Sequence, residues 1–422
     1  MYLPNPRTSC LAPRRRNKRR RVAVGAFSVL LSFLLNPAHA GLRSGPETTV
    51  LDQLFIFTNG VNWTNSTGWP NDDYCTRHGI TCDQDTNTAD NTSHVVAIDL
   101  HANNLVGTLP SLANLTHLQD FQLRSNQLSG SIPPLSSLAN LTLFDVSSNQ
   151  FTGSIPSLAG LANLGFFEVQ SNQLTGSLPS LGGTSGLVYF FAYGNSLSGQ
   201  IPDLTGSPNL IWFDVHGMQL TGPMPALTGL TSLQRFYVQS NQLSGSMPAL
   251  ADLTNLQLFA ADHNNLTGSL SLTGLPALQS FEIDHNQLTG PIPALAGFSN
   301  LGYFLADHNH LSGVIPALSS LANLVTFDVE DNSLTGTIPV ISTLSGVQYF
   351  RVGGNLLTGA VPQAAPALAF DGASLCPNLL STTPQAAIDP AWNAATGGWT
   401  PWWANPHPAN RCDELFENQF GG

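Results

Sequence analysis

The sequence predicts a solenoid, in which short, nearly identical β-units stack side by side into parallel sheets and are closed by a cap at each end. Three observations carry that prediction. An Asn-x-Leu-x-Gly pattern returns twelve times, its leading position falling at Asn103, Asn126, Asn149, Asn172, Asn195, Met218, Asn241, Asn264, Asn286, Asn309, Asn332 and Asn355; ten of the eleven intervals are 23 residues. Within each unit the order Leu-x-x-Phe-x-Val-x-x-Asn alternates at period two and is then broken by Gly and Pro, which is a short strand followed by a turn. Cysteines bracket the array, Cys75 and Cys82 before it and Cys376 and Cys412 beyond it. A unit of 23 residues cannot bury its own apolar edge, so the units must stack around one continuous core with capped ends.

Taken in chain order, residues 1–40 have the build of a secretory signal peptide: a basic stretch, an apolar run from Val22 to Leu35, and the small-residue ending Ala38-His39-Ala40. The run is shorter than the ~17–25 residues of a membrane span, and no later segment is longer. Eight of the 14 basic residues of the chain lie in this segment, so the chain after Ala40 carries 26 acids against six Arg, a net charge of −20 without a Lys. That balance excludes a nucleic-acid binder and makes anionic membranes poor partners. The four cysteines that remain after cleavage allow three pairings.

Residues 41–94 form an N-terminal cap with Trp63, Gly68-Trp69 and Gly79-Ile80-Thr81-Cys82, and residues 95–362 hold the twelve repeats. Phe fills the fourth place of eleven consecutive units, from Phe121 to Phe350, half of all 22 Phe, and such a stack reads as a buried spine. The Asn ladder has its own reason, since an amide can satisfy backbone groups where the chain leaves the strand. Met218 cannot do this, so the sixth unit is expected to be locally looser. The one short interval, 22 residues from Asn264 to Asn286, coincides with a lost Pro in Gly268-Ser269-Leu270-Ser271 and reads as a single deletion. Residues 363–422 break the repeat and bring Trp392, Trp399, Trp402 and Trp403 amid Pro and Gly, which reads as a C-terminal cap.

The repeated Leu-Thr/Ser-Gly-x-Ile-Pro signature over roughly 47–362 resembles the plant-type leucine-rich repeat, and the segment before it is similar to the N-terminal cap of plant receptor ectodomains and polygalacturonase-inhibiting proteins. The resemblance implies an α/β-type leucine-rich-repeat solenoid. Its parallel β-sheet lines the concave face, mostly turns and short 3-10 segments form the convex face, and the caps are disulfide-bonded. The family's members recognise partners rather than catalyse. The departures are a period slightly short for the class and no transmembrane helix or kinase domain. With strands about 4.8 Å apart, twelve units separate the cysteine pairs by roughly 50 Å, which selects Cys75 with Cys82 and Cys376 with Cys412. The Ala-x-Ala site and the scarcity of Lys point to a bacterial exported member. Sequons at Asn62, Asn65, Asn91, Asn114, Asn140 and Asn265 would be glycosylated only in a eukaryotic secretory route.

In such a solenoid, places three, five, seven and eight of each unit project from the concave face. Of 14 acids between Val95 and Pro362, twelve occupy those places: Asp99, Asp120, Asp145, Glu168, Asp214, Asp262, Glu282, Asp284, Asp307, Asp328, Glu330 and Asp331. An even scatter would put about 2.5 there. Phe166, Tyr189, Phe191, Tyr193, Trp212, Tyr237, Tyr303 and Tyr349 share the face, mostly in units four to seven, whereas units eight to eleven carry the acids. Aromatics beside charges are the usual make-up of a binding hot spot, and an acidic concavity draws a basic partner.

The bland alternative is that the acids only keep a Lys-free chain soluble. His263, His285 and His308, each after an Asp, form a ladder that duplication alone explains; a pH-responsive edge or a metal site are the other readings. No nucleophile elbow, zinc-protease helix motif or phosphate loop occurs, so no catalytic residue and no cofactor is expected. The expectation is therefore a secreted or cell-surface (or periplasmic) recognition protein that binds a basic protein or peptide, a glycan or a host cell-wall enzyme. A structural, adhesion or ice-binding solenoid is the alternative, and a glycoside-acting enzyme the third class.

Overall fold

The computed structural model describes residues 45–70, 73–83, 93–369, 371–398 and 400–403. The expected signal peptide, Asn91, Trp399 and Cys412 lie outside the described residues. Fourteen strands form one sheet, beginning with Ile80–Cys82, which pairs antiparallel with Val95–Asp99, and continuing as parallel strands to Ala373–Ser374. The first repeat gives the five-residue strand Val95–Asp99 with Ile98 at the fourth place, each of the other eleven gives a strand of three residues centred on its Phe, and the pairing is in register, as Ile98 opposite Phe121, Phe121 opposite Phe144 and Phe213 opposite Phe236. One face of these strands turns inward and the flanking residues outward, which is what period two demands.

The eleven spine phenylalanines are all 0–1% exposed and stack at 5.4–5.9 Å between ring centroids. The stack ends on Trp392, 6.3 Å from Phe350, whose indole N–H donates to Pro362 O at 2.7 Å. Trp392 and Trp402 are buried, so these two members of the Trp-rich segment plug the end of the core.

The Asn amides stitch neighbouring units together. Asn264 Nδ2 donates to Ala261 O and Asp262 O in its own unit and to Val238 O in the unit before, each at 3.1 Å, while its Oδ1 accepts Leu243 N–H at 2.9 Å. The ladder runs one rung beyond the twelve read from the spacing: Asn378 donates to Leu375 O and Val352 O and accepts Leu357 N–H. Met218 breaks the pattern as expected in its bonding, because Leu197 N–H has no amide oxygen to meet. The sixth unit nevertheless keeps its register on both sides and buries Met218.

After each Asn the chain forms a second set of parallel strands, built from the Gln-Leu-Thr/Ser-Gly segments. Eight run from Val106–Thr108 to Asn265–Thr267, three more from Thr289–Pro291 to Ser333–Thr335, and two at Thr358–Gly359 and Leu379–Leu380. The first break falls at the 22-residue unit, where one missing residue leaves only an isolated bridge between Ser269 and Thr289. The Gly of this segment has φ of +77 to +82° in eleven units. At Gly336 a Cβ would also meet Val314 Cγ1 at 2.9 Å. Both facts explain why the sequence repeats Gly there. The remainder of each unit is turn. Among the described residues 3-10 segments occur only at Gly60–Asn62 and Tyr74–Thr76, in the N-terminal cap and not on the convex side of the repeats.

The N-terminal cap lays helix Pro46–Phe57 over the end of the core, with Val50, Leu51, Leu54 and Phe55 buried. Phe55, Trp63 and Trp69 pack at 5.0–6.0 Å, and a disulfide joins Cys75 to Cys82. Cys376 is buried at the other end.

Candidate ligand-binding face

On the solvent side of the fourteen-stranded sheet, the predicted face residues form columns, because each place of one unit lies beside the same place of the next. Phe166, Tyr189, Phe191, Trp212 and Tyr237 join into one aromatic cluster with ring centroids 4.9–6.4 Å apart. Tyr193 stands next to it, stacked on His216 at 4.8 Å. Tyr303 and Tyr349 do not join the cluster; they stand apart, 46% and 37% exposed. Within the cluster the indole nitrogen of Trp212 is buried without an acceptor among the described residues, as are the side-chain oxygens of Gln170 and Gln239 without a donor.

Two participants escape sequence reasoning. Arg235 holds its guanidinium over the Trp212 ring, 4.7 Å from the centroid, a cation–π contact. His216 Nδ1 lies 2.6 Å from Asp214 Oδ1, and that hydrogen bond holds the imidazole above its ordinary pKa against the opposing effect of burial. The sequence signal for both is their place in the unit, three for Arg235 and seven for His216, the same places that the acids and aromatics of the face occupy in other units.

The acids divide into two kinds. Asp145, Asp214 and Asp328 point to the solvent side of the sheet yet are only 5–7% exposed, so they are not the open carboxylates expected. Their oxygens turn to nearby groups: Asp145 accepts from Ser147 N and Oγ at 3.0 and 2.6 Å, and Asp328 accepts Glu330 N–H at 3.2 Å. Burial, then the Asp307 and Glu330 carboxylates, push Asp328 up to about 7, despite Arg351 Nη1 at 3.6 Å. Burial likewise raises Glu168, Glu282 and Glu330. Asp99, near the N-terminal end of the sheet, is half-exposed and bonded to His101 at 2.6 Å, and Asp120 accepts from Thr142 Oγ1 at 2.8 Å.

Asp262, Asp284, Asp307 and Glu330 form the second kind, a column at place seven. Beside it, at place eight, stand His263, His285, His308 and Asp331. Nδ1 of His263 lies 3.1 Å from Asp262 Oδ2 and 3.7 Å from Asp284 Oδ2; His285 repeats this against Asp284 and Asp307 at 3.1 and 3.7 Å. His308 closes the series with Nδ1 2.8 Å from Asp307 and Nε2 3.1 Å from Asp331. The rings stack in parallel at 4.2 Å. Burial acts to lower His308, but the Asp307 hydrogen bond and the carboxylates of Asp331, Asp307 and Glu330 outweigh it and hold the imidazole above its usual value. Burial, with Asp307 and Asp262 nearby, raises Asp284.

Place eight has a backbone reason that the sequence showed only indirectly. The residue before the ladder Asn is left-handed in all twelve units, with φ of +48 to +68°. Ser, Gly, His and Asp dominate that place, and Gly, Asn, Asp and His tolerate the region best.

The leucine-rich-repeat family model matches residues 140–161. No curated protein matches the chain. Solved structures do. A TDR receptor is 30% identical over 68% of this chain and 52% of its own, with a TM-score of 0.63. The plant peptide hormone receptor RGFR1 in complex with RGF2 is 31% identical over 68% and 48%, at 0.63. PEPR1–AtPEP1 is 25% identical over 82% and 54%, at 0.65. This chain thus spans about half the length of the structures it resembles.

Proposed function

We propose, from the premise that this chain is built of plant-type leucine-rich repeats, that it is an extracellular recognition protein. It binds an extended basic peptide, or a basic segment of a protein, along the solvent side of its long sheet. The observation that carries the reading is the polarity of that face: an aromatic cluster around Trp212 runs into the Asp262–Asp284–Asp307–Glu330 column, in which the first three carboxylates have, among the described residues, only imidazoles as ion-pair partners. Arg124, Arg235 and Arg351 lie on the same face, but they stand against Asp145, the Trp212 ring and Asp328 and not against those three aspartates. A ligand with aromatic or apolar side chains at one end and Lys or Arg at the other would fill both halves. The receptor RGFR1 in complex with RGF2 supports a peptide as the occupant.

The test compares the full chain with a variant carrying Asp262→Asn, Asp284→Asn, Asp307→Asn and Glu330→Gln. Pull-down from the natural surroundings identifies partners, and binding of a synthetic Lys/Tyr peptide is titrated at two salt concentrations. A weaker, less salt-dependent interaction in the variant is expected. Equal affinity and equal salt dependence would refute the electrostatic part. The alternative of a long regular Ser/Thr array on the second sheet fares less well, since that sheet is interrupted between Asn265–Thr267 and Thr289–Pro291.

A further inference from the structure

The structure assigns a second capacity to this face: the triads His263–Asp284–His285 and His285–Asp307–His308 form a tandem site for a borderline divalent transition cation of the Zn²⁺ class. The ligand atoms of each triad lie within 4.8 Å of one another. Each consists of two imidazole nitrogens and one carboxylate oxygen, the donor set such ions prefer over Ca²⁺ or Mg²⁺, which take oxygen alone. Bonds of ~2.0–2.1 Å in a tetrahedron require ligand-to-ligand edges of about 3.3 Å. The observed nitrogen-to-oxygen edges, 3.1 and 3.7 Å in the first triad and 2.8 and 3.7 Å in the second, bracket that value.

The fold supplies the preorganisation. The three histidines have the same left-handed backbone, φ of +50 to +51°, and the following Asn264, Asn286 and Asn309 amides lock each turn to its neighbour. Asp284 and Asp307 each reach the Nδ1 edges of two adjacent rings, their side chains 14 and 17% exposed, while the imidazoles are 41–54% exposed at the rim. A cation must lie near the plane of each ring it binds, and the rings are parallel, so one ring of each pair has to turn about its Cβ–Cγ bond. Exposure at the rim leaves room for that turn. The two triads share His285, which makes it the residue whose loss disables both. A third cluster, Glu47, His94 and His117 in the N-terminal part, is the natural internal control, being more than a hundred residues away in the chain and having a ligand set of the same kind.

The experiment titrates the untagged full chain with ZnCl₂ by calorimetry, in the presence and absence of excess CaCl₂. It is repeated on His285→Asn and on His94→Asn. Asn is chosen because it tolerates the left-handed backbone but does not replace an imidazole ligand. Expected are Zn²⁺ binding that Ca²⁺ does not displace, a weakening of at least about tenfold in His285→Asn, and little change in His94→Asn. The double variant His263→Asn/His308→Asn, which removes one nitrogen from each triad, guards against a folding defect peculiar to position 285 and should lose affinity likewise. Co²⁺ bound to the wild-type chain should give the intense visible bands of a tetrahedral site. No heat with Zn²⁺, unchanged affinity in both ladder variants, loss confined to His94→Asn, displacement by Ca²⁺ or absence of those bands would each overturn the assignment. None of these outcomes depends on a peptide partner.

Discussion

Asp328 offers the sharpest test of the electrostatics of this face. Its carboxyl is raised from 3.8 to about 7, chiefly by burial and then by Asp307 and Glu330. A carboxyl that holds its proton more tightly folded than unfolded gives the native state the extra proton between those two values. Stability from this group is therefore fully present below about 4 and is lost as the pH rises towards 7. A tenfold step in affinity for the proton is worth about 1.4 kcal/mol, so ionising Asp328 in place costs about 4 kcal/mol above neutrality. Asp328→Asn removes that cost. The amide oxygen can still accept Glu330 N–H, and the amide N–H₂ faces the carboxylates that opposed the charge; only the 3.6 Å approach of Arg351 is forfeited. Thermal melts of both proteins from pH 4 to pH 8 should show coincident midpoints at pH 4 and a gap that opens to about 4 kcal/mol by pH 7.5. For an array of this length that gap is roughly 5 °C, if unfolding is cooperative. A difference that stays flat across the range would show that Asp328 ionises normally and that this part of the face is wetter than the geometry implies.

Other substitutions test the scaffold. Met218→Asn restores an acceptor for Leu197 N–H and donors for two carbonyls, and should stabilise by about 1–2 kcal/mol in denaturant melts after the lost burial of Met is subtracted. Asn264→Ala removes the same bonds from an intact rung and should cost about 2–3 kcal/mol. Phe236→Ala opens the spine between Phe213 and Phe259 and should cost about 3–5 kcal/mol, read from the unfolding midpoint. Cys75→Ser/Cys82→Ser should loosen the N-terminal cap first, seen as faster amide exchange in helix Pro46–Phe57 than in the central strands.

The sheet, its register and the spine were legible because each is written many times. A Phe at the fourth place is weak evidence once and compelling when eleven units in a row carry it, and the structure pairs those residues as the spacing requires. The short interval after Asn264 was legible too, although only the structure shows that its consequence falls on the second sheet and spares the first. The state of individual carboxylates was not legible. Asp145, Asp214 and Asp328 look like other face acids in sequence, but at place five each is enclosed by the side chains of adjacent strands, a matter of neighbours 23 residues away. The rung at Asn378 was harder to see: it falls one 23-residue period after Asn355, but Cys376-Pro377-Asn378 is not followed by the Leu-Thr-Gly that marks the other units, and the amide's bonds and the pairing of Ala373–Ser374 with the preceding strand establish it.

The same division of labour explains why a single face can carry two kinds of recognition. Fold-determining demands fall on places one, four, six and nine, which are filled by Leu, Phe, Val and Asn and satisfied by burial and the amide ladder. Place eight must accept a left-handed backbone and so admits few residue types, His among them. Places three, five and seven are held in position but not specified, so substitutions there cost the scaffold little. Duplication accounts for how Asp-His-Asn came to recur in three units; it does not account for the neighbours, since units four to seven share the same repeat, with Asn at the ninth place in all but the sixth, and yet place Gln170, Tyr193, His216 and Gln239 at the seventh position. An acidic seventh place confined to units eight to eleven is therefore a property of the face and not of the repeat. The charge-neutralised and His285→Asn variants are chosen to separate its two uses.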